Sequence, residues 1–578
     1  MAGLRRRGPD QIGFWVDSSV QMAHARLSIL GLDERSSEPI ENETHVLAFN
    51  GEIYNFLDLQ RRLQAEGIPV QGSNDALVLL QAWSRWGPAV LRDLHGFWAF
   101  VVYDKARRTL TLVRDQFGVK PLYYWVAGGG ACVSSLLASL VDVVPERLEL
   151  DYAALSAYVR YQFTFGEKTF FRHVSKVLPG HCVEIHLGSG EVRDTCYEDI
   201  FAPANAEPQT ISPEWIRETR DLVRECILES TISDTPYTTC CSGGLDSGLI
   251  TLIARPEMAY HCNYSDPECN ETFYARQVVQ GTPIRLFVVN ALEDFNLVER
   301  LRSIVEDFDE PTIGSVILPL DDLLAQVKRR YKVLLTGTGG DELFSGYVRY
   351  QLAMGECYQD SYKLLFARMQ LLRSPEERFE FAHRKGDPAL YNFYEPEAEA
   401  VFRAAYGACR HNGDDLGAML RFDRRYFLTG LLNIDDKMGG RHSLESRPSL
   451  LHQKLVRHMQ RLDCRDLMRG PDLKAVLRAV SADLLPKSVL HRTDKMGFTT
   501  PVGDFINRNA DHIREQIASS PFRHLYNLHK LTFTAESKFS REVFGLLLLD
   551  LWLNRYAGPR SGRPEVSRVN TGAVAREP

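Results

Sequence analysis

The side chains in this chain best suited to phosphate chemistry sit in two glycine-rich strings. The first is Cys241-Ser242-Gly243-Gly244-Leu245-Asp246-Ser247. It follows a β-prone stretch, residues 237–241, and precedes the apolar, helix-compatible stretch 248–254. The glycine pair lets the backbone turn so that successive N–H groups and a helix N-terminus face an anion. Ser242, Gly243, Gly244 and Ser247 are the expected contacts. A carboxylate inside a phosphate cradle repels its ligand unless a hard divalent cation lies between them, so Asp246 predicts a magnesium-bridged nucleotide. No lysine follows the glycines, so this is not a Walker loop. The second string runs from Leu334 through Thr336-Gly337-Thr338-Gly339-Gly340-Asp341-Glu342 to Tyr347. Residues 332–335 read as a buried strand, and Gly337, Gly339 and Gly340 permit close backbone approach to a ligand. Asp341 offers a second carboxylate for the same cation; the plainer alternative is a surface turn with a capping aspartate.

The elements around these strings divide the chain near residue 205, where residues 201–213 carry three prolines. Before it, residues 46–49, 97–103, 109–113 and 122–126 read as short strands and 76–83 and 88–94 as helices, which predicts stacked sheets with flanking helices. After it, strands at 237–241, 260–264, 285–289 and 332–335 alternate with helical stretches, which predicts a doubly wound, mainly parallel sheet. Such sheets bind ligands at the carboxyl ends of their strands, and both glycine strings fall there. Residues 558–578 lack periodicity and are expected to be a disordered tail. The expected division is therefore 1–204, 205–557 and that tail.

With 578 residues, 44% apolar and 25% charged, the composition is that of a globular enzyme with more than one core. The net charge of −7 argues against a nucleic-acid partner. The apolar run at 543–549 ends at Asp550 and is far shorter than the roughly 18–20 residues a membrane helix needs. The first ten residues lack the apolar core of a signal peptide. Eleven cysteines, none in a CxxC pair, read as reduced thiols of a cytoplasmic protein. A homodimer is a possible assembly.

The first string resembles the PP-loop of ATP pyrophosphatases, and the second resembles the glycine-rich acidic motif of asparagine synthetases. Further resemblance to that family lies in Asp309-Glu310-Pro311, Asp436-Lys437-Met438, His442-Ser443-Leu444-Glu445-Ser446-Arg447, Lys474-Ala475-Val476-Leu477-Arg478 and Lys495-Met496-Gly497-Phe498. The resemblance implies an adenine nucleotide α-hydrolase-like second half that uses ATP and Mg2+. Asp309, Glu310, Asp436, Glu445 and Arg447 are candidates for its pocket or for structural ion pairs. Lys474 and Arg478, four residues apart, are expected on one side of a helix whose residues Leu473, Val476, Leu477, Val480 and Leu484 face inward. That pattern alone suits a solvated basic face. The resemblance instead places Lys474 in the active site with Asp246 and Asp341, suited to stabilising a departing pyrophosphate and an oxyanion.

In the first half, Arg6-Arg7-Gly8-Pro9-Asp10, His24-Ala25-Arg26-Leu27-Ser28-Ile29, Asn50-Gly51-Glu52-Ile53-Tyr54-Asn55 and the string from Arg114 to Tyr124 look like the glutaminase domain of class II amidotransferases. This implies an Ntn-hydrolase-like fold. It also implies a glutamine pocket of Arg26, Asn50, Gly51, Glu52 and Asp75, with Asn50 and the Gly51 amide as oxyanion donors. Family members start Met-Cys-Gly and spend a strand and a helix before the motif matched by Arg6 to Asp10. Here the start is Met1-Ala2-Gly3, so the pocket is expected to be vestigial unless the reading frame begins earlier. Leu77 also departs from the family's usual Glu.

Thr338 stands where asparagine synthetases carry a carboxylate and β-lactam synthetases carry tyrosine, and a threonine cannot act as a base at neutral pH. If the amine needs deprotonation, another residue must do it. Three readings follow. The first is an AMP- and diphosphate-forming ligase that adenylates a small-molecule carboxylate for attack by ammonia or an amine. The second is an intramolecular cyclase of the β-lactam synthetase or lasso-peptide kind, and the third a catalytically reduced regulatory subunit.

Overall fold

The structure, a computed structural model, describes residues 2–558 except 33–35, 71, 73, 147, 204–207, 312–313, 493–499 and 538–540. The expected division at 204/205, the expected tail from 559 on, and the Lys495-Met496-Gly497-Phe498 motif lie outside the described residues.

In the first half, strands β1 (Gln11–Val16), β2 (Gln21–Arg26), β3 (Ile40–Glu41), β4 (His45–Ile53), β5 (Gly96–Asp104), β6 (Thr109–Arg114), β7 (Tyr123–Ala127), β8 (Gly130–Ser134), β9 (Val174–Lys176), β10 (His181–His186) and β11 (Val192–Cys196) pair antiparallel. One sheet has the order β11-β10-β6-β5-β4-β3, another β8-β7-β9, and β1 and β2 form a hairpin. The large sheet is apolar on both faces. Leu47, Phe49, Phe100 and Val102 pack under the helices Phe56–Ala65 and Asp75–Trp86, while Val46, Tyr103, Leu110 and Leu112 face the smaller strands. Period-two alternation drives this split. The expected helix at 88–94 is instead a 3-10 segment, Gly87–Asp93. Gly87 at φ +58° breaks the helix before it, and Pro88 at the second position cannot donate to an α-helical ladder.

The second half is a five-stranded, all-parallel sheet built from β12 (Tyr237–Cys240), β13 (Met258–Asn263), β14 (Arg285–Asn290), β15 (Val333–Thr336) and β16 (Glu445–Pro448), in the order β14-β13-β12-β15-β16. Its central strands β12 and β15 are buried on both sides, β15 by an apolar run and β12 with two threonines that find hydrogen-bond partners, whereas β14 at one edge is partly exposed. Val333, Leu335 and Ala259 belong to one core with helix Leu245–Ala254; Leu334, Met258 and Tyr260 belong to the other, with helix Ile317–Val327. The apolar run at 543–549 is the N-terminal half of helix Glu542–Tyr556, buried nearly all round, with Asp550 satisfied by Ser520, Gln516 and Asn554. No helix among the described residues is long and apolar enough to cross a membrane.

Buried ion pairs join the two halves. The Arg447 guanidinium donates to Glu445 Oε1 at 2.8 Å, lies 3.1 Å from Glu52 Oε1, and donates to the Ser230 and Ile232 carbonyls at 3.0 and 2.6 Å. Lys120 reaches Glu445 at 3.3 Å, and Arg7 donates twice to Asp436 at 2.8 Å. Lys176 lies 3.0 Å from Glu310 across the same junction, and within the second half Lys437 pairs with Asp309. All five residues from Asp309 to Arg447 singled out in the sequence thus form ion pairs, and Asp436 and Glu445 also line a cavity. Removing one partner of such a pair leaves a buried charge unmatched, so Arg447→Ala should cost about 3–5 kcal/mol. Urea titration of the variant should show its transition at markedly lower denaturant, with catalytic residues untouched.

Candidate functional site

Three chain segments converge on one ammonium group. Lys474 Nζ donates to Asp246 at 2.7 and 2.5 Å and lies 2.8 Å from Asp341 Oδ1. Lys474 and Asp246 are buried, while Asp341 is about one-third exposed. Burial works against the lysine's charge, but the two carboxylates outweigh it and hold its pKa above the ordinary value. The sequence pattern placed Lys474 within a helix beside Arg478. In the structure it is the residue before helix Ala475–Ser481, at φ +56°, and this left-handed turn swings its side chain away from the helix face. Arg478 goes elsewhere, donating to the Leu473 carbonyl at 3.0 Å and to those of Leu490 and Arg492. Leu484, expected inward, is exposed because the helix ends at Ser481.

Glycines are required where the segments meet. Gly243, at φ +79°, abuts the backbone of Ala275, and a Cβ there would lie 2.6 Å from its nitrogen. Gly337 and Gly340 press on Asp246, and a Cβ on Gly346 would overlap both Asp341 and Lys474. Gly339, at φ +89°, precedes the short helix Gly340–Phe344 that carries Asp341. Ser247 closes the loop from inside: its hydroxyl accepts from the Ser242 amide at 3.1 Å and lies 2.9 Å from Ser242 Oγ. Helix Leu245–Ala254 starts at Gly244 with no side-chain cap, which leaves its first N–H groups for an anion. The structure therefore brings together Ser242, Gly243, Gly244, Asp246, Ser247, Gly337, Gly339, Gly340, Asp341 and Lys474. Glu342 turns inward to accept from Tyr347 at 2.5 Å, and burial with Asp341's charge nearby raises its pKa to about 7.

Asp435 was missed by the sequence reading, which singled out its neighbour Asp436. Its Oδ2 accepts from Thr338 at 2.5 Å and from Thr336 at 3.0 Å. Burial raises its pKa to about 6 against the pull of the two hydroxyls. A carboxylate thus stands beside Thr338 after all, delivered by helix Leu428–Arg441. The only sequence signal was the adjacent pair Asp435-Asp436; the packing turns one toward Arg7 and the other toward Thr338.

Arg26, Asn50, Gly51, Glu52 and Asp75 line one cavity of about 650 Å3, walled mainly by the first half and closed by Asp436, Gly440, Leu444 and Glu445 of the second. Arg26 donates to Gln11 and to the Leu30 and Gly31 carbonyls, and Glu52 is tied to Arg447. Asp75 accepts from the Ile53 and Ala76 amides, and burial raises its pKa to about 7. Asn50 Nδ2 and His24 Nδ1 are buried without partners. No cysteine lines the cavity among the described residues.

If Lys474 stabilises charge that develops during reaction, Lys474→Ala should slow pyrophosphate release by on the order of 100-fold or more. Arg478→Ala should lower the thermal midpoint instead and leave the rate per folded molecule nearly unchanged. Gly346→Ala should mimic the Lys474 variant in steady-state kinetics, because its methyl displaces the lysine from Asp341 without changing any charge.

The comparisons with known proteins match both halves. Residues 1–197 match the family model described as a glutamine amidotransferase domain, and residues 218–554 match that described as asparagine synthase. A glutamine-hydrolysing asparagine synthetase 1 of Bacillus subtilis is 26% identical, covering 94% of this chain and 91% of its own. Asparagine synthetase B of Escherichia coli is 27% identical over 63% of this chain and 64% of its own. The amidase chry2 of Gibberella zeae is 26% identical over 60% of this chain and 54% of its own. Because the asparagine synthase model spans more than half of its length, this chain belongs to the asparagine synthase family.

Proposed function

We propose that this chain is an ATP-dependent, AMP- and diphosphate-forming amide ligase in which Asp435 takes the proton of the attacking amine. The reading is carried by the convergence of Asp246, Asp341 and Lys474 beside an uncapped helix N-terminus, with Asp435 hydrogen-bonded to Thr338 of the loop that leads to Asp341. In the first step a substrate carboxylate oxygen attacks the α-phosphorus of ATP, the bond to the bridging oxygen breaks, and diphosphate leaves. The cradle amides and Lys474 bind the departing charge. In the second step an amine attacks the acyl carbon of the adenylate, the C–O bond to AMP breaks, and the amine's proton passes to Asp435. A pKa near 6 keeps Asp435 ionised at neutral pH while leaving it basic enough to accept that proton. Thr338 and Thr336 orient it, and the hydroxyl that cannot act as a base becomes the donor that fixes one.

Two carboxylates 2.5 and 2.8 Å from one ammonium form a donor set that fits a hard divalent cation. Asp246 and Asp341 would hold magnesium, which when bound supplies charge neutralisation of the triphosphate. Asp246→Asn and Asp341→Asn should then each abolish ATP turnover at a temperature where circular dichroism shows the fold intact, with a lowered melting midpoint because one partner of the buried lysine is lost.

Exchange of labelled diphosphate into ATP across a panel of carboxylates tests the first step, and no exchange with any of them would sink the ligase reading. Product mass then separates an intermolecular amide, about one mass unit lighter than its acid when ammonia is the amine, from a ring closed by loss of water. Asp435→Asn should leave exchange intact but slow amide formation by on the order of 100-fold. Amide formation should rise with pH through about 6 in the parent protein. Thr338→Val removes a hydrogen bond that favours the ionised carboxylate, so the midpoint of that rise should move upward.

A further inference from the structure

Away from the Lys474 centre, His95, Glu229 and His452 converge where the two halves meet. One potential ligand atom from each, a ring nitrogen of either histidine and a carboxylate oxygen, lies within 4.8 Å of the other two. The three come from separate elements: His95 stands just before β5, Glu229 is the last residue of helix Pro213–Glu229, and His452 caps helix Gln453–Met459. Their backbone frame is already fixed. The His95 amide donates to Asn55 Oδ1 at 2.9 Å, its carbonyl accepts from the Tyr54 amide at 2.7 Å, and Gln453 donates to the neighbouring Leu94 carbonyl at 2.9 Å. The rings of His95 and His452 meet edge to face with centroids 5.3 Å apart, and His95 Nδ1 is buried without a hydrogen-bond partner. The Lys454 amide donates to His452 Nδ1 at 3.2 Å, which leaves the ring proton on Nε2, and Nε2 donates it to Glu229 Oε2 at 2.7 Å. That proton occupies the place a cation would take between imidazole and carboxylate.

We propose that His95, Glu229 and His452 bind one divalent transition-metal ion of the zinc class, which clips the first half of the molecule to the second. Two imidazoles and a carboxylate are a ligand set that zinc accepts, with its fourth position left to water, whereas magnesium prefers oxygen ligands throughout. An open depression of about 550 Å3, lined by Asp221, Arg224, Glu225 and Glu229 among others, reaches the site, so an ion can enter from solvent past three carboxylates. Binding needs no net change in protonation. Nε2 of His452 gives up its proton to become a ligand, Nδ1 takes one up, and the Lys454 amide is released. Lys454 Nζ, 3.4 Å from Glu229 Oε1, keeps its pairing with Glu225 when the ion takes over Glu229. One cap hydrogen bond and one outlying ion pair are thus exchanged for three coordinate bonds. The proposal is independent of the ligase reading.

Cobalt(II) and zinc, added separately to the chelator-treated full-length protein in excess magnesium, test this. Cobalt should bind at one ion per chain and develop visible d–d absorption without the near-ultraviolet band of a thiolate ligand, since no cysteine belongs to the set. Zinc should displace the cobalt and raise the thermal midpoint. His95→Ala, Glu229→Gln and His452→Ala should each weaken uptake by more than the roughly 10–100-fold that loss of even a ligand-orienting partner costs. His95→Ala leaves the Glu229–His452 pair in place, so it decides the matter if His452→Ala fails to fold. Absence of stoichiometric binding, a thiolate band, or uptake unchanged by His95→Ala would overturn the site. A zinc-induced rise in thermal midpoint that is equal in the parent protein and in His95→Ala would overturn the clip.

Discussion

The second half of the molecule is organised around the constraint that one buried ammonium must be shared by two carboxylates from different strand ends. Asp246 comes from the first turn of the helix after β12, Asp341 from the first turn of the helix after β15, and Lys474 from a segment more than a hundred residues further on. A buried lysine without partners would shed its proton, and two neighbouring carboxylates without a cation would repel. Each group is therefore tolerable only where the other two are. That dependence explains why glycine recurs at positions 337, 340 and 346: a methyl at any of them would press on Asp246, Asp341 or Lys474. It also accounts for the left-handed turn at Lys474, whose modest backbone cost is offset by the ion pairs it permits.

Because its ligands are charged, such a centre needs a rigid frame, and the frame extends into the first half. β16, which carries Glu445 and Arg447, is an edge strand of the parallel sheet beside β15. Its side chains reach Glu52 and Lys120 of the antiparallel half, while Asp436, on the helix that also carries Asp435, holds Arg7. The helix that positions Asp435 against Thr338 is thus held on its other side by residues of the first half. Buried ion pairs of this kind contribute little net stability compared with apolar packing, but they penalise misalignment strongly. They fix how the two halves meet.

Much of this was legible in the sequence where local backbone chemistry dictates the outcome. Glycine pairs after β-prone runs marked both strand-to-loop turns, and the acidic residues after them, Asp246 and Asp341, are the two carboxylates that meet Lys474. The parallel sheet followed from apolar runs separated by helical periods, and its four anticipated strands all form within a residue or two of their expected ends. What was not legible depends on tertiary packing. A helical spacing of four put Lys474 and Arg478 on one face, and only the left-handed residue at the helix start separates them. Pro88 and Gly87 tighten what composition suggested was a helix. Asp435 gave no sign of itself, because two adjacent aspartates look equivalent until their helix is seated between Arg7 and Thr338.

That last pair shows how chemistry can be retained when a residue at a functional position changes. A threonine at position 338 removes an anionic side chain from the loop after β15, yet the structure returns a carboxylate to the same neighbourhood from a different element. The two arrangements are not equivalent. A carboxylate on the loop would be held by its own backbone, whereas Asp435 is held by two hydroxyl donors and by burial, which act in opposite directions on its proton affinity. The hydroxyls stabilise the anion and the low-dielectric surroundings destabilise it. Their balance leaves a group that is ionised near neutrality and still basic. A surface carboxylate, ionised two pH units lower, would accept a proton from an amine far less readily. In the proposed reaction Thr338 is therefore the donor that orients the base rather than the loss of one.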